Sequence, residues 1–207
     1  MKLYLVRHGQ TEYNELSLHQ HSNVELSDLG VKQAEILAKR FSKIPIDLIY
    51  SSTLKRAKDT TEIINRIINK KIVYLDSLKE KKNPSEIVGK QGDSEDIQKI
   101  HQKMNAHSDD IKWHYSDEEN FNEFKERVLK LFNILDQTKE QNILAVTHGG
   151  PIRIIILYIV LGSSISSEIF QRFKFSFRPD NTGITLCEKN KDGKWIVRTF
   201  NDRAHLG

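Results

Sequence analysis

Long apolar runs are scarce in this chain, and the longest is informative because it is short. Residues 151–161 (PIRIIILYIVL) make eleven residues with Arg153 among them, where a membrane-spanning helix needs about 20. The run therefore predicts a buried core helix rather than a membrane span. Cysteine is nearly missing as well. Cys187 stands alone, which excludes an intrachain disulfide and fits a reducing, cytoplasmic setting. No apolar leader with a small-residue cleavage site precedes the first strand pattern. Gly89 and Gly92 do not make a glycine-rich phosphate loop, and neither an internal repeat nor a dividing linker is present.

The charge is mixed. Lys and Arg number 32 against 28 Asp and Glu, a net +4, and the lysines are interleaved with acids along the chain. Such a pattern reads as an ordinary solvated surface. No nucleic-acid module or aromatic-and-basic stripe accompanies it, so neither nucleic acid nor a membrane is the expected partner. A length of 207 residues suits one α/β domain with a sizeable core.

Strand and helix patterns alternate. Leu3 to Val6 reads as a buried strand, followed by a polar loop from Gln10 to Glu25. Ser27 caps a helix with Ala34, Leu37, Ala38 and Phe41 on one face. Ile46–Tyr50 is a second strand, with Ser51-Ser52 as turn and cap. Leu54, Ala57, Thr61, Ile64 and Ile68 then step by three and four, and Ile72–Leu75 is a third strand. Residues 79–118 break the rhythm and read as an insertion over the sheet edge with weak helical patterning. Ser116 and Glu119 make a capping box for a helix running through Gln137. Ile143–Thr147 is a fourth strand, with Pro151 opening the next helix and Gly162 stopping it. In the tail, Phe173, Phe175 and Phe177 alternate, and a hairpin of Ile184–Cys187 and Trp195–Phe200 turns around Asp192-Gly193. These patterns predict a three-layer α/β/α sandwich: a mostly parallel central sheet, antiparallel C-terminal strands and a helical insertion.

Two of the strands end alike, in His8-Gly9 and in His148-Gly149. Open α/β sheets bind ligands at the C-terminal ends of their strands, and neighbouring strands would bring both imidazoles to one crevice. Arg7 lies at the end of the first strand, and Arg56 opens the helix after the second. Two guanidiniums there repel each other unless an anion sits between them, and their planar forks suit phosphate oxygens. Other histidines carry weaker patterns. His19 and His21 stand at i, i+2 without nearby cysteines, and His101, His107 and His114 lack helical metal spacing. No metal site is expected.

The run Leu5-Val6-Arg7-His8-Gly9-Gln10-Thr11-Glu12-Tyr13-Asn14 resembles the signature of the histidine phosphatase superfamily, also called phosphoglycerate-mutase-like. The resemblance continues through Leu26–Ala34 and Tyr50–Ala57, and resumes at Val146–Gly150, Asn181-Thr182 and Asn201–Leu206. It implies that His8 is a nucleophile carrying the phosphoryl group, and that Arg7, Arg56 and His148 hold the equatorial oxygens. Gln10, Asn14 and Gly149 complete the implied substrate contacts. Leu78-Lys79-Glu80 matches the family's Leu-x-Glu, which makes Glu80 the general acid and later the base. No cofactor is implied.

The resemblance is weak over residues 82–118, where the family's mutases carry arginines and a Pro-rich stretch. Residues 91–118 hold neither arginine nor proline. The loop from Glu15 to Glu25 also lacks the glycine and aspartate of the mutase-like pattern. A phosphatase acting on a small phosphorylated metabolite or a phosphorylated protein is therefore the expectation. A cofactor-dependent phosphoglycerate mutase is the alternative, and a non-catalytic phospho-ligand-binding regulator stands behind it. No motif assigns an oligomeric state.

Overall fold

Side chains alternate across a strand, so a strand buried on both faces feeds two separate cores. In the computed structural model, which describes residues 1–108 and 110–207, this holds from the first strand onward. Leu3 and Leu5 of β1 (Lys2–Arg7) enter one core, while Tyr4 and Val6 enter the other. β4 (Asn142–Thr147) does the same with Ile143 and Ala145 against Leu144 and Val146. With β2 (Leu48–Ser52), β3 (Ile72–Leu75), β5 (Ile184–Lys189) and β6 (Trp195–Asp202), they form a sheet ordered β3-β2-β4-β1-β5-β6 among the described residues. The first four positions run parallel; β5 is antiparallel to β1, and β6 to β5.

Helices cover both faces. On one side lie α2 (Asp28–Phe41) and α3 (Lys55–Ile68), packing Leu37, Phe41, Ala57 and Ile64 against the sheet. On the other lie α5 (Phe121–Gln137), α6 (Gly149–Leu161) and α7 (Ser167–Ser176), centred on Phe124, Leu131, Ile155 and Phe170. The expected three-layer sandwich is thus present. No helix among the described residues is long and apolar enough to cross a membrane.

Several local readings shift. The polar loop after β1 contains a one-turn helix, α1 (Glu12–Glu15), closed by a reciprocal capping box between Thr11 and Asn14. Ser51 and Ser52 belong to β2 rather than to a turn, and Leu54 is the cap of α3. α5 begins four residues later than the Ser116 box predicts. Asn120 and Glu123 cap it, because the Glu119 carboxylate is engaged by Arg127, with Nε at 2.6 Å. Pro151 is the third residue of α6, not the first; no amide hydrogen is needed there either. The alternating phenylalanines lie on α7 and its C-cap, not on a strand. Phe173 and Phe177 stand four apart and stack with centroids 4.0 Å apart, so the period of helix overrode the period of strand. Segment 79–118 carries a helix of twelve residues, α4 (Glu95–Ala106). It does not stay at the sheet edge; together with α7 it walls a cavity beside the strand ends.

Candidate active site

β1 and β4 are adjacent and in register, with Arg7 opposite Thr147. Their next residues, His8 and His148, are therefore brought side by side, ring centroids 5.0 Å apart. Both are buried. β2 flanks β4 on its other side and delivers Arg56 through the first turn of α3. Arg56 is itself buried, 3% exposed, and does not pair with Asp59, which takes Lys55 instead. Its Nε donates to His8 Nε2 at 3.2 Å.

That contact fixes the state of His8. A guanidinium only donates, so Nε2 must offer its lone pair. Nδ1 then carries the proton and donates to the Gly9 carbonyl at 2.7 Å. Burial, and then the charges of Arg56 and Arg7, hold the imidazole well below its usual 6.5. His8 is accordingly neutral at neutral pH, its one in-plane ring lone pair held by Arg56 Nε beside the cavity that His8, Arg7 and Arg56 line. The cavity has a volume of about 540 Å³. His148 is held low by the same burial and by Arg56. Its Nε2 meets Ser52 Oγ at 2.8 Å, and its buried Nδ1 has no partner.

The charge of Glu80 acts on both cations only from a distance. Among the described residues neither Arg7 nor Arg56 forms an ion pair. Arg7 donates from NH1 to the Pro179 carbonyl at 2.8 Å, and its buried Nε is unpartnered. Burial pushes Arg56 down to about 10, still charged near neutrality. Burying a charge without a contacting partner costs on the order of several kcal/mol. A bound tetrahedral anion would offset it, accepting from both guanidiniums at once.

Glu80 faces the same space. Its Oε2 accepts from the Gly150 amide at 3.1 Å and its Oε1 from Lys81 N at 2.9 Å, so it is no surface partner of the neighbouring lysines. Lys79 pairs with Asp76 and Lys82 with Asp117. A Cβ on Gly150 would overlap Oε1 of Glu80 and lie 2.9 Å from the Phe124 ring; glycine is what leaves room for the carboxylate. Gly9 serves a different purpose. A Cβ there would lie 2.6 Å from the Gly30 carbonyl, so this glycine seats the loop against α2.

The remaining expected contacts divide. Asn14 Oδ1 accepts from Asn181 Nδ2 at 3.2 Å, and the same Nδ2 donates to the His8 carbonyl at 2.8 Å. Asn14 thus stands in the shell that fixes His8. Gln10 turns away: its Oε1 accepts from Ser27 Oγ at 3.2 Å, and it is not among the residues lining the cavity. Gly149 is the first residue of α6, beside Arg153.

Some residues at the site carried no role in the sequence reading. Arg127 grips the strand-end turn, donating to the carbonyls of Asp76 (2.8 Å), Lys79 (3.1 Å) and Glu80 (3.2 Å) while forking onto Glu119. The available signal was a charged residue at i+3 from Phe124 and i−4 from Leu131, on an otherwise apolar stripe. Thr60 Oγ1 accepts from Gly9 N at 3.0 Å and donates to the Arg56 carbonyl at 2.7 Å, tying two segments of the site together. Thr182 sits at φ 59°, uncommon for a β-branched residue, where its N–H donates to the Arg7 carbonyl at 2.8 Å. His19 and His101 are far apart in sequence, yet their Nε2 atoms come within 3.4 Å.

Paired histidines and buried arginines at the ends of parallel strands define an anion-handling α/β enzyme site. Comparison with known proteins narrows this. The family model described as histidine phosphatase superfamily (branch 1) matches residues 3–203, and the chain belongs to that family. It is an enzyme of the phosphatase class. A Hydrogenobacter thermophilus protein named "Putative phosphoserine phosphatase 2" is 32% identical over 95% of this chain and 93% of its own. The metal-independent phosphoserine phosphatase of Arabidopsis thaliana is 28% identical over 99% of this chain and 83% of its own. A phosphoserine phosphatase mutant from Entamoeba histolytica, in complex with phosphoserine, shares the fold with a TM-score of 0.77. It is 27% identical, with coverage of 100% of this chain and 99% of that one.

Proposed function

We propose that the protein is a metal-independent phosphomonoester hydrolase working through a phosphohistidine on His8. The observation that carries this reading is the neutral His8 ring, its Nδ1–H spent on Gly9 and its Nε2 lone pair aimed among cations. When a phosphomonoester enters, Arg56 exchanges its hydrogen bond to Nε2 for one to a phosphoryl oxygen. The lone pair so released attacks phosphorus in line. As the N–P bond forms, the P–O bond to the leaving group breaks, and Glu80, which enters this step as the protonated acid, gives that oxygen its proton. Glu80, now a carboxylate, takes a proton from water. The resulting hydroxide attacks phosphorus, the N–P bond breaks, and inorganic phosphate leaves with His8 neutral again.

Charge neutralisation does most of the work in phosphoryl transfer. Arg7, Arg56 and the unpartnered His148 Nδ1 are the groups that would supply it, so no metal is called on. The segment over residues 79–118 covers the substrate, and the leaving groups it admits are those of small phosphorylated metabolites. Phosphoserine, which appears in the names of relatives, is among the compounds to try first. Incubation with p-nitrophenyl phosphate in the presence of EDTA tests the assignment. Release of nitrophenol is expected, together with an acid-labile 32P label on His8 after rapid quench from a labelled substrate. A folded protein that gives neither overturns it.

A further inference from the structure

His148 carries a ring proton whose place has chemical consequences. Its Nδ1 is buried without a partner, while its Nε2 meets Ser52 Oγ at 2.8 Å. Both residues are buried, and burial together with Arg56 keeps the imidazole neutral near neutral pH. A neutral imidazole has one N–H and one bare nitrogen. The direction of the hydrogen bond at Nε2 therefore decides what Nδ1 can do.

Ser52 sets that direction. Among the described residues its Oγ has two hydrogen-bond partners, His148 Nε2 and the Leu54 amide at 3.3 Å. The amide only donates, so it takes up a lone pair of the hydroxyl and leaves the O–H to find an acceptor. His148 Nε2 is the partner able to accept it. The opposite arrangement, with Nε2–H donating to Oγ, would strand both the hydroxyl proton and a bare Nδ1 in the interior. Buried polar groups are costly to leave unpaired. With Ser52 donating, Nδ1–H is the one group left over. Its ring stands 5.0 Å from that of His8, and an anion drawn between Arg7 and Arg56 would bring the missing acceptor. A bare lone pair in the same place would repel that anion.

We propose that Ser52 is a positioning residue for phosphoryl transfer: its hydroxyl donates to His148 Nε2, fixing the ring proton on Nδ1 as a donor to the transferring group. Ser52 acts only through His148, and its role rests on the phosphatase reading above, in which His148 holds a phosphoryl oxygen. The same turn carries Arg56, two residues beyond Leu54. Hydrogen bonds in series polarise one another, so the run from Leu54 N–H through Ser52 O–H to the imidazole makes Nδ1–H a better donor.

Long-range 1H–15N NMR of the 15N-labelled protein at neutral pH reads the ring directly, with the His148 signals identified by their loss in His148→Gln. A single proton on Nδ1 is expected in the wild type, and its redistribution between the two nitrogens in Ser52→Ala. Ser52→Ala should lower kcat for p-nitrophenyl phosphate by about 10- to 100-fold with KM within about 3-fold, since the lost donor serves the transition state. Ser52→Thr keeps the hydroxyl and should keep the tautomer, with kcat within about 3-fold of wild type.

A wild-type proton on Nε2, or on both nitrogens, overturns the assignment. So does a kcat indifferent to Ser52→Ala, or a fall in kcat while the proton stays on Nδ1, which would reduce Ser52 to packing. If the wild type does not hydrolyse p-nitrophenyl phosphate, the phosphatase reading falls instead. The tautomer then still judges Ser52, as does calorimetric affinity for orthovanadate, expected to be about 10-fold weaker in Ser52→Ala.

Discussion

The strand-end pocket and the chamber beside it are built in opposite ways. His8 and His148 stand directly after strands buried on both faces, Arg56 stands in the first turn of the helix that follows such a strand, and each is buried itself. The chamber is walled in large part by α4, the stretch around Trp113 and α7, whose lining side chains apart from Ser167 and Phe170 are half-buried or exposed, with local contacts such as the stack of His107 on Trp113 at 4.4 Å. Rigid elements hold reacting groups to a geometry, while segments at the sheet's end are free to vary without disturbing it. On the proposed function, the contrast amounts to a division of labour: chemistry on the sheet, choice of substrate on its cover.

That division can be broken first at His8. His8→Ala is expected to lower kcat by about 10⁴-fold or more, as losing a nucleophile does, while phosphate still binds by calorimetry; substantial residual turnover would end the nucleophile assignment. Arg56→Ala comes next, with a loss of about 10²- to 10³-fold by analogy with oxyanion donors. It also bears on pH. As the proposed nucleophile, His8 would attack only when neutral, and its depressed pKa keeps it neutral below 6.5. The acid limb of kcat/KM in the wild type should therefore lie below pH 6.5. Removing the Arg56 charge raises the His8 pKa and should move that limb upward. An acid limb that does not move in the variant would separate His8 from the titration.

Arg127→Ala should act less, about 10-fold or somewhat more on kcat, because a misplaced catalytic group costs rate without touching substrate. Its mark would be a change in kcat with little in KM and partial recovery in Arg127→Lys; a KM effect alone would refute a positioning role. The smallest effect is expected across the boundary. His101→Ala, on the cover and opposite His19, should change kcat for p-nitrophenyl phosphate by no more than about 3-fold, as surface changes away from the chemistry usually do. A larger fall in a well-folded variant would mean that the two regions do not divide the work as described.

The groups expected to react were legible because their setting is local. An apolar strand followed by His-Gly declares where its histidine stands, and two such strands suggest a shared crevice. Glu80 was legible only through resemblance, since nothing in Leu78-Lys79-Glu80 says that α6 will bring the Gly150 amide to its carboxylate. The direction of Gln10 was not legible, because a side chain beside a signature residue can turn toward a helix cap, here Ser27. The phenylalanines of α7 were misread because residues 173, 175 and 177 satisfy a period of two, while Phe170, Phe173 and Phe177 satisfy the helical spacing that burial selected.

Short-range pattern by itself determined the alternation of strands and helices, the two-faced core and the delivery of Arg7, His8 and His148 to strand ends. Those outcomes follow from side-chain period and burial, which neighbours along the chain already encode. Only the tertiary structure decided the tautomer of His8, the grip of Arg127 on the Glu80 turn and the meeting of Ser52 with His148. Each depends on atoms brought together from distant segments, and no periodicity in one dimension records where those segments will meet.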